Sequence, residues 1–100
     1  MPRVTPKADV FAVGVILFNL LTGRMLFSGR DEREIMFKNK RCILPNNIKH
    51  YLHNLSSHVH DLLLKLLKAK PHQRPSAEEA LKHHWFEDIR EGILMSLELN

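Results

Sequence analysis

An all-α fold is predicted by this sequence, as about four to six helices with long loops. Three observations carry that reading. From Val10 to Leu21 every residue is apolar except Gly14 and Asn19. Val59, Leu62, Leu63, Leu66 and Leu67 recur at i, i+3, i+4, i+7 and i+8, a single apolar face at helical period. Ser76-Ala77-Glu78-Glu79 spells a capping box, in which the serine meets the amide three residues on and the glutamate reaches back.

The first of these stretches, Asp9 to Leu21, organises the chain. Thr5-Pro6 suits its start, with Thr as N-cap and Pro at the first helical position. Thr22-Gly23 suits its end, where Gly takes the left-handed turn that closes a helix, and basic Arg24 comes next. A buried parallel strand is the rival, but strands usually span about 4 to 8 residues. The run is also too short for a bilayer, which needs about 20 apolar residues, so no membrane is expected. A helix apolar all round is built to be buried all round. The Val59 helix, Trp85-Phe86 and a Met25-Leu26-Phe27 hook can cover one side of it. The other side is expected to stay bare. Each large apolar side chain left in water forfeits about 1.5 to 3 kcal/mol, so the chain alone is expected to pack loosely or self-associate non-specifically.

The remaining elements come in order along the chain. Asp31 caps a short helix to about Lys38, with Glu32 and Glu34 in the first turn where the macrodipole favours carboxylates. Residues 39–55 show no period and contain the turn signal Pro45-Asn46-Asn47, so a long irregular connection is expected, with at most a turn near His50 to His53. Ser56 or Ser57 caps the Val59 helix, which ends at Lys68, Lys70 and Pro71. The capping-box helix runs to about His83, and Trp85-Phe86 supply a large apolar anchor just beyond it. Residues 87–100 read as a tail or weak helix, interrupted by Gly92.

Composition bounds the function. One hundred residues make at most one domain. Net charge +4 permits an acidic partner, but the longest basic cluster, Lys38-Asn39-Lys40-Arg41, is short and lacks aromatic residues. A DNA-reading helix needs Arg, Lys, Asn or Gln facing the bases, and the Val59 helix offers leucines on one side and His, Asp and Lys on the other. No nucleic acid is expected. Cys42 is alone, which rules out an internal disulfide, and no signal-peptide layout is present; a cytoplasmic protein is the expectation. Seven histidines raise the question of metal. His58 and His60 do not share a helix face, His83 and His84 are adjacent, and His50 and His53 have no second ligand pair, so no metal site is expected.

Four stretches in order resemble the lower half of a eukaryotic protein kinase C-lobe, from its F to its I helix, over residues 1–86. Lys7 to Leu17 resembles the family's Asp-Val-Trp-Ser-x-Gly stretch, and Leu21-Thr22-Gly23 with Leu26-Phe27-Ser28-Gly29 is similar to the loop after it. Leu55-Ser56, Asp61-Leu62 and Leu66-Leu67 are similar to the H helix. Pro71 to Phe86 resembles the closing Pro-x-x-Arg-Pro-Thr-x-x-Glu-x-Leu-x-His-Pro-Trp-Phe. That motif is of the serine/threonine type, closer to calcium/calmodulin-regulated kinases than to tyrosine kinases. Phe11, Ala12, Leu26, Lys70 and His84 depart from the pattern.

The resemblance implies ATP-dependent phosphorylation of protein Ser or Thr in the intact family, with ATP and magnesium as cofactors. These 100 residues hold none of the family's Gly-rich loop, Val-Ala-Ile-Lys, His-Arg-Asp, Asp-Phe-Gly or Ala-Pro-Glu, so they carry no catalytic, cofactor or metal residues. Gly29-Arg30-Asp31 imitates a catalytic loop, but Met36 stands where a metal-binding Asn belongs. What carries over is scaffold. Asp9 would hold the catalytic loop from beneath, Gly14 would allow close helix approach, and Arg74 would pair with the Glu of Ala-Pro-Glu. Without those partners, Asp9 also reads as an ordinary first-turn acid and Arg74 as an exposed surface residue. Arg30, Asp31, Arg33 and Glu34 lie on the helix that faces substrates and partners in the family. The expected partner is a protein substrate or the remainder of the kinase domain. The alternative is a non-catalytic interaction module derived from the same lobe.

Overall fold

Three of the described helices begin on an Asp or Ser side-chain cap. Asp31 accepts from the Glu34 amide at 2.9 Å and Ser56 from the Val59 amide at 3.3 Å. Ser76 accepts from the Glu79 amide at 3.1 Å, while Glu79 accepts from the Ser76 amide at 3.1 Å, which is the reciprocal box read from the sequence. The computed structural model describes residues 6–99, so the Thr5 cap lies outside the described residues. The order is α1 (Pro6–Thr22), α2 (Glu32–Arg41), α3 (Ile48–Leu52), α4 (Ser57–Leu66), a 3-10 turn (Pro71–Gln73), α5 (Ala77–Leu81) and α6 (His84–Leu99). No strand occurs among the described residues. The chain is all-α.

The core lies where α1 crosses α4. Val10, Phe11, Gly14 and Phe18 of α1 are buried against Val59, Leu62, Leu63 and Leu66 of α4. A Cβ on Gly14 would stand 2.9 Å from Leu66 Cβ and 3.0 Å from Leu67 Cδ2, so the two backbones approach as closely as glycine permits. The polar residue inside the apolar run has a task. Asn19 Oδ1 accepts from the Leu26 amide at 2.8 Å and turns the adjoining loop back over the helix end. Leu26 and Phe27 are thereby buried, Phe27 stacking on Phe11 at 6.2 Å, while Met25 points outward. Gly23 at φ +69° closes α1 as its position predicts.

Three boundaries differ from the sequence expectation. Helix α2 continues past Lys38 to Arg41, because Cys42 adopts the left-handed conformation (φ 54°) that Gly or Asn normally signals. Residues 48–52 form α3, whose Ile48 and Leu52 are one turn apart and buried. Five residues are too few to display a period, which is why the stretch reads as irregular. Helix α6 runs unbroken through Gly92, and Trp85 and Phe86 form its first turn. From Glu87 to Leu99 every residue of α6 is exposed.

Among the described residues, neighbours cover one side of α1. Val13, Ile16 and Leu20 are 56%, 58% and 77% exposed, on the face opposite Gly14 and Phe18. A helix apolar around its circumference has found neighbours for half of it.

The Gly14 contact gives a direct check. Alanine in a helix interior is ordinarily better than glycine by about 1 kcal/mol. Here the added methyl meets Leu66 Cβ, an atom that cannot swing away, so overpacking prevails. Gly14→Ala is expected to loosen α1 on α4 by about 1 to 3 kcal/mol, read as faster amide hydrogen exchange in both helices. Slower exchange than in the wild type would show that the contact accommodates the methyl without strain.

Candidate functional site

Arg74 is buried, contrary to the surface position expected of an arginine without its carboxylate. It is 5% exposed. Nε donates to the Lys68 carbonyl at 2.6 Å, Nη2 to the Ala69 carbonyl at 3.1 Å, and Nη1 to the Lys7 carbonyl at 2.8 Å. The guanidinium lies 4.7 Å from the centroid of the Phe11 ring, within cation–π range. The Lys7 ammonium in turn donates to the Arg74 carbonyl. Lys68 and Ala69 sit just past the C-terminus of α4, where unpaired carbonyls carry negative charge. Carbonyl oxygens thus stand in for a carboxylate. One side chain fastens the end of α4 to the start of α1.

Asp9 is exposed at the edge of an apolar groove of about 670 Å³. It is lined by Val10, Val13 and Leu17 of α1, Leu62 and Leu66 of α4, Ala77, Ala80 and Leu81 of α5, and Trp85, Phe86 and Ile89 of α6. The groove therefore runs along the half-bare side of α1, with one carboxylate at its rim. Gly14 is buried against Leu66, which also lines the groove, and there it sets the α1–α4 distance.

On α2 the structure separates the four residues singled out there. Asp31 is consumed as N-cap. Glu34 accepts from the Arg30 amide at 2.9 Å and pairs with Arg30 Nε at 3.2 Å and Lys38 Nζ at 3.3 Å. Those contacts, the Arg30 amide foremost, hold its carboxyl below the usual carboxylate range. Arg33 is left pointing outward without an acidic partner among the described residues. Met36 and Phe37 beside it are 68% and 54% exposed, and the Arg41 guanidinium lies 5.3 Å from the Phe37 ring centroid.

The histidines tie helices together. His58 Nδ1 meets Asp88 Oδ2 at 2.7 Å, joining α4 to α6, and His83 Nε2 meets Asp61 Oδ2 at 2.7 Å. The His83 and Lys65 contacts hold the Asp61 carboxyl below its usual range. Among the described residues no three His, Cys, Asp or Glu side chains converge as metal ligands. No described helix is long and apolar enough to cross a membrane.

A central apolar helix, a short capped helix after it, and a buried arginine ahead of a capping box stand in the order expected from the resemblance to the lower part of a kinase C-lobe. The chain belongs to the protein kinase family: the protein kinase domain matches residues 2–86. It is 42% identical over 80 residues to a probable serine/threonine-protein kinase 2 of Plasmodium falciparum, covering 80% of this chain and 16% of that protein. A calcium and calcium/calmodulin-dependent serine/threonine-protein kinase of Oryza sativa subsp. japonica is 36% identical over 86 residues, covering 83% and 16%. The twitchin kinase region of C. elegans superposes with a TM-score of 0.71 at 30% identity, covering 82% of this chain and 14% of that one. The autoinhibited serine kinase domain of titin shares the fold, with a TM-score of 0.72 at 23% identity over 84% of this chain and 26% of that one. The chain thus spans about one-sixth of the length of these two kinase relatives.

Replacing Arg74 tests the carbonyl cradle. Lysine keeps the charge but cannot reach three diverging carbonyls, so Arg74→Lys is expected to cost about 2 kcal/mol or more, through hydrogen bonds lost to a charged donor. Because the partners are carbonyls, the loss should be the same at low and high salt, read as amide hydrogen exchange in α1 and at the end of α4. A loss that vanishes at high salt would point to a carboxylate partner instead.

Proposed function

We propose that these residues form the helical floor of a serine/threonine kinase catalytic domain. They dock the rest of that domain along α1 and by themselves neither bind ATP nor transfer phosphate. The groove beside α1 carries this reading. Its apolar lining includes Val13, 56% exposed, which burial against another part of the domain would remove from water. Asp9, exposed at its rim, can accept backbone amides from a loop laid across the helix start. Gly14 and Arg74 serve the same end indirectly, fixing α1 on α4 so that the groove keeps its shape.

In the parent family, ATP supplies the phosphoryl group and magnesium neutralises its charge. The residues of this chain do not fit that complex. Its four glycines, at positions 14, 23, 29 and 92, are too far apart in sequence for a phosphate loop. No step of phosphoryl transfer is therefore assigned to a side chain here. The contribution is positional: a rigid base on which a catalytic loop can rest.

Isothermal titration of the 100-residue chain with magnesium-ATP should give no binding heat, and no phosphate should appear on a Ser/Thr peptide. Magnesium-dependent ATP binding in about the micromolar range, near ordinary enzyme substrate affinities, would overturn the reading.

A further inference from the structure

The solvent faces of α2 and α6 carry the same pattern in opposite charge. On α2, Arg33, Met36 and Lys40 fall at i, i+3 and i+7, one row along the helix. On α6, Glu91, Leu94 and Glu98 fall at i, i+3 and i+7, again one row. Each row is a charge, an apolar side chain and a charge, and at 1.5 Å per residue the outer two are about 10 Å apart in both. All six residues are exposed, Met36 by 68% and Leu94 by 54%. None of the four charges has an ion-pair partner among the described residues.

The wider surfaces agree. Helix α2 holds Arg33, Lys38, Lys40 and Arg41 against Glu32 and Glu34, whereas α6 holds Glu87, Asp88, Glu91 and Glu98 against Arg90. Phe37 flanks the α2 row and Met95 the α6 row, 54% and 62% exposed, which adds apolar area on both sides. Two α6 helices would set carboxylates against each other, so the charge pattern disfavours α6 pairing with itself. Within one chain α6 packs on α4 through Trp85, Phe86 and the His58–Asp88 bond, and its distal half stands clear.

We propose that α6 of one copy docks on α2 of a second copy. Met36 and Leu94 meet at the centre, and Arg33 and Lys40 pair with Glu91 and Glu98 at the ends. The contact joins two different surfaces, so it is heterologous, and it extends into open chains or closes into a ring. It does not depend on the docking of a catalytic half along α1, since neither row lines that groove.

Sedimentation velocity on the 100-residue chain tests this. The wild type should associate with rising concentration, and less so as salt rises from about 0.1 M to about 1 M, where the screening length falls from about 10 Å to about 3 Å. The double reversals Arg33→Glu with Lys40→Glu, and Glu91→Lys with Glu98→Lys, should each weaken association about tenfold, by turning two attractions into repulsions. Mixing the two variants should restore it, because each then meets its complement. Far-ultraviolet spectra equal to wild type would show that the exposed substitutions leave the helices formed. A monomeric wild type, variants that associate as the wild type does, or a mixture that fails to regain association would each overturn the proposal. Salt-insensitive association unaffected by both reversals would mean that copies meet through the bare face of α1.

Discussion

The close approach of α1 and α4 at Gly14 sets everything else. Because no side chain intervenes there, Leu66 and Leu67 reach the α1 backbone, and Phe11 and Phe18 slot beside Leu63. The direction of α1 over α4 then places Lys7 within reach of Arg74, whose guanidinium gathers carbonyls from both helices. Hydrogen bonds to a charged donor contribute more than neutral ones, and carbonyls just past the end of α4 need such a donor. Packing brings the helices together and the arginine keeps them in register.

The same geometry leaves half of α1 uncovered. A helix buries what its neighbours can reach, and α4, the Leu26-Phe27 loop and the first turn of α6 reach only one side. Val13, Ile16 and Leu20 remain in water, each forfeiting a sizeable part of the about 1.5 to 3 kcal/mol that full burial contributes. Several such residues together approach the about 5 to 15 kcal/mol by which whole domains are stable. The proposed docking of further kinase-domain structure along α1 would return these side chains to an apolar environment.

Much of this was legible in the sequence where a local rule matched the outcome. Val59 to Leu67 kept helical period, Ser76 and Glu79 formed their box, and Gly23 closed α1. Legibility failed where the deciding partner was not a sequence pattern. Arg74 is buried because backbone carbonyls receive it, and carbonyls leave no mark on composition. Cys42 took the left-handed cap that a glycine would have announced, and α3 was too short to show its period. On α2, the sequence placed Arg33 among candidate contacts but did not show that Glu34 and Asp31 would be used up locally. The i, i+3, i+7 rows on α2 and α6 are visible in the letters, yet only the fold shows that both lie in solvent.

Calorimetric unfolding of the 100-residue chain tests most directly the proposal that α1 is a docking helix. A broad, weak heat-absorption profile without a cooperative peak, alongside a helical far-ultraviolet spectrum, is the expected result. A monomer with a sharp transition, whose calorimetric and van't Hoff enthalpies agree, would show that the helices close around α1 unaided and would contradict the account.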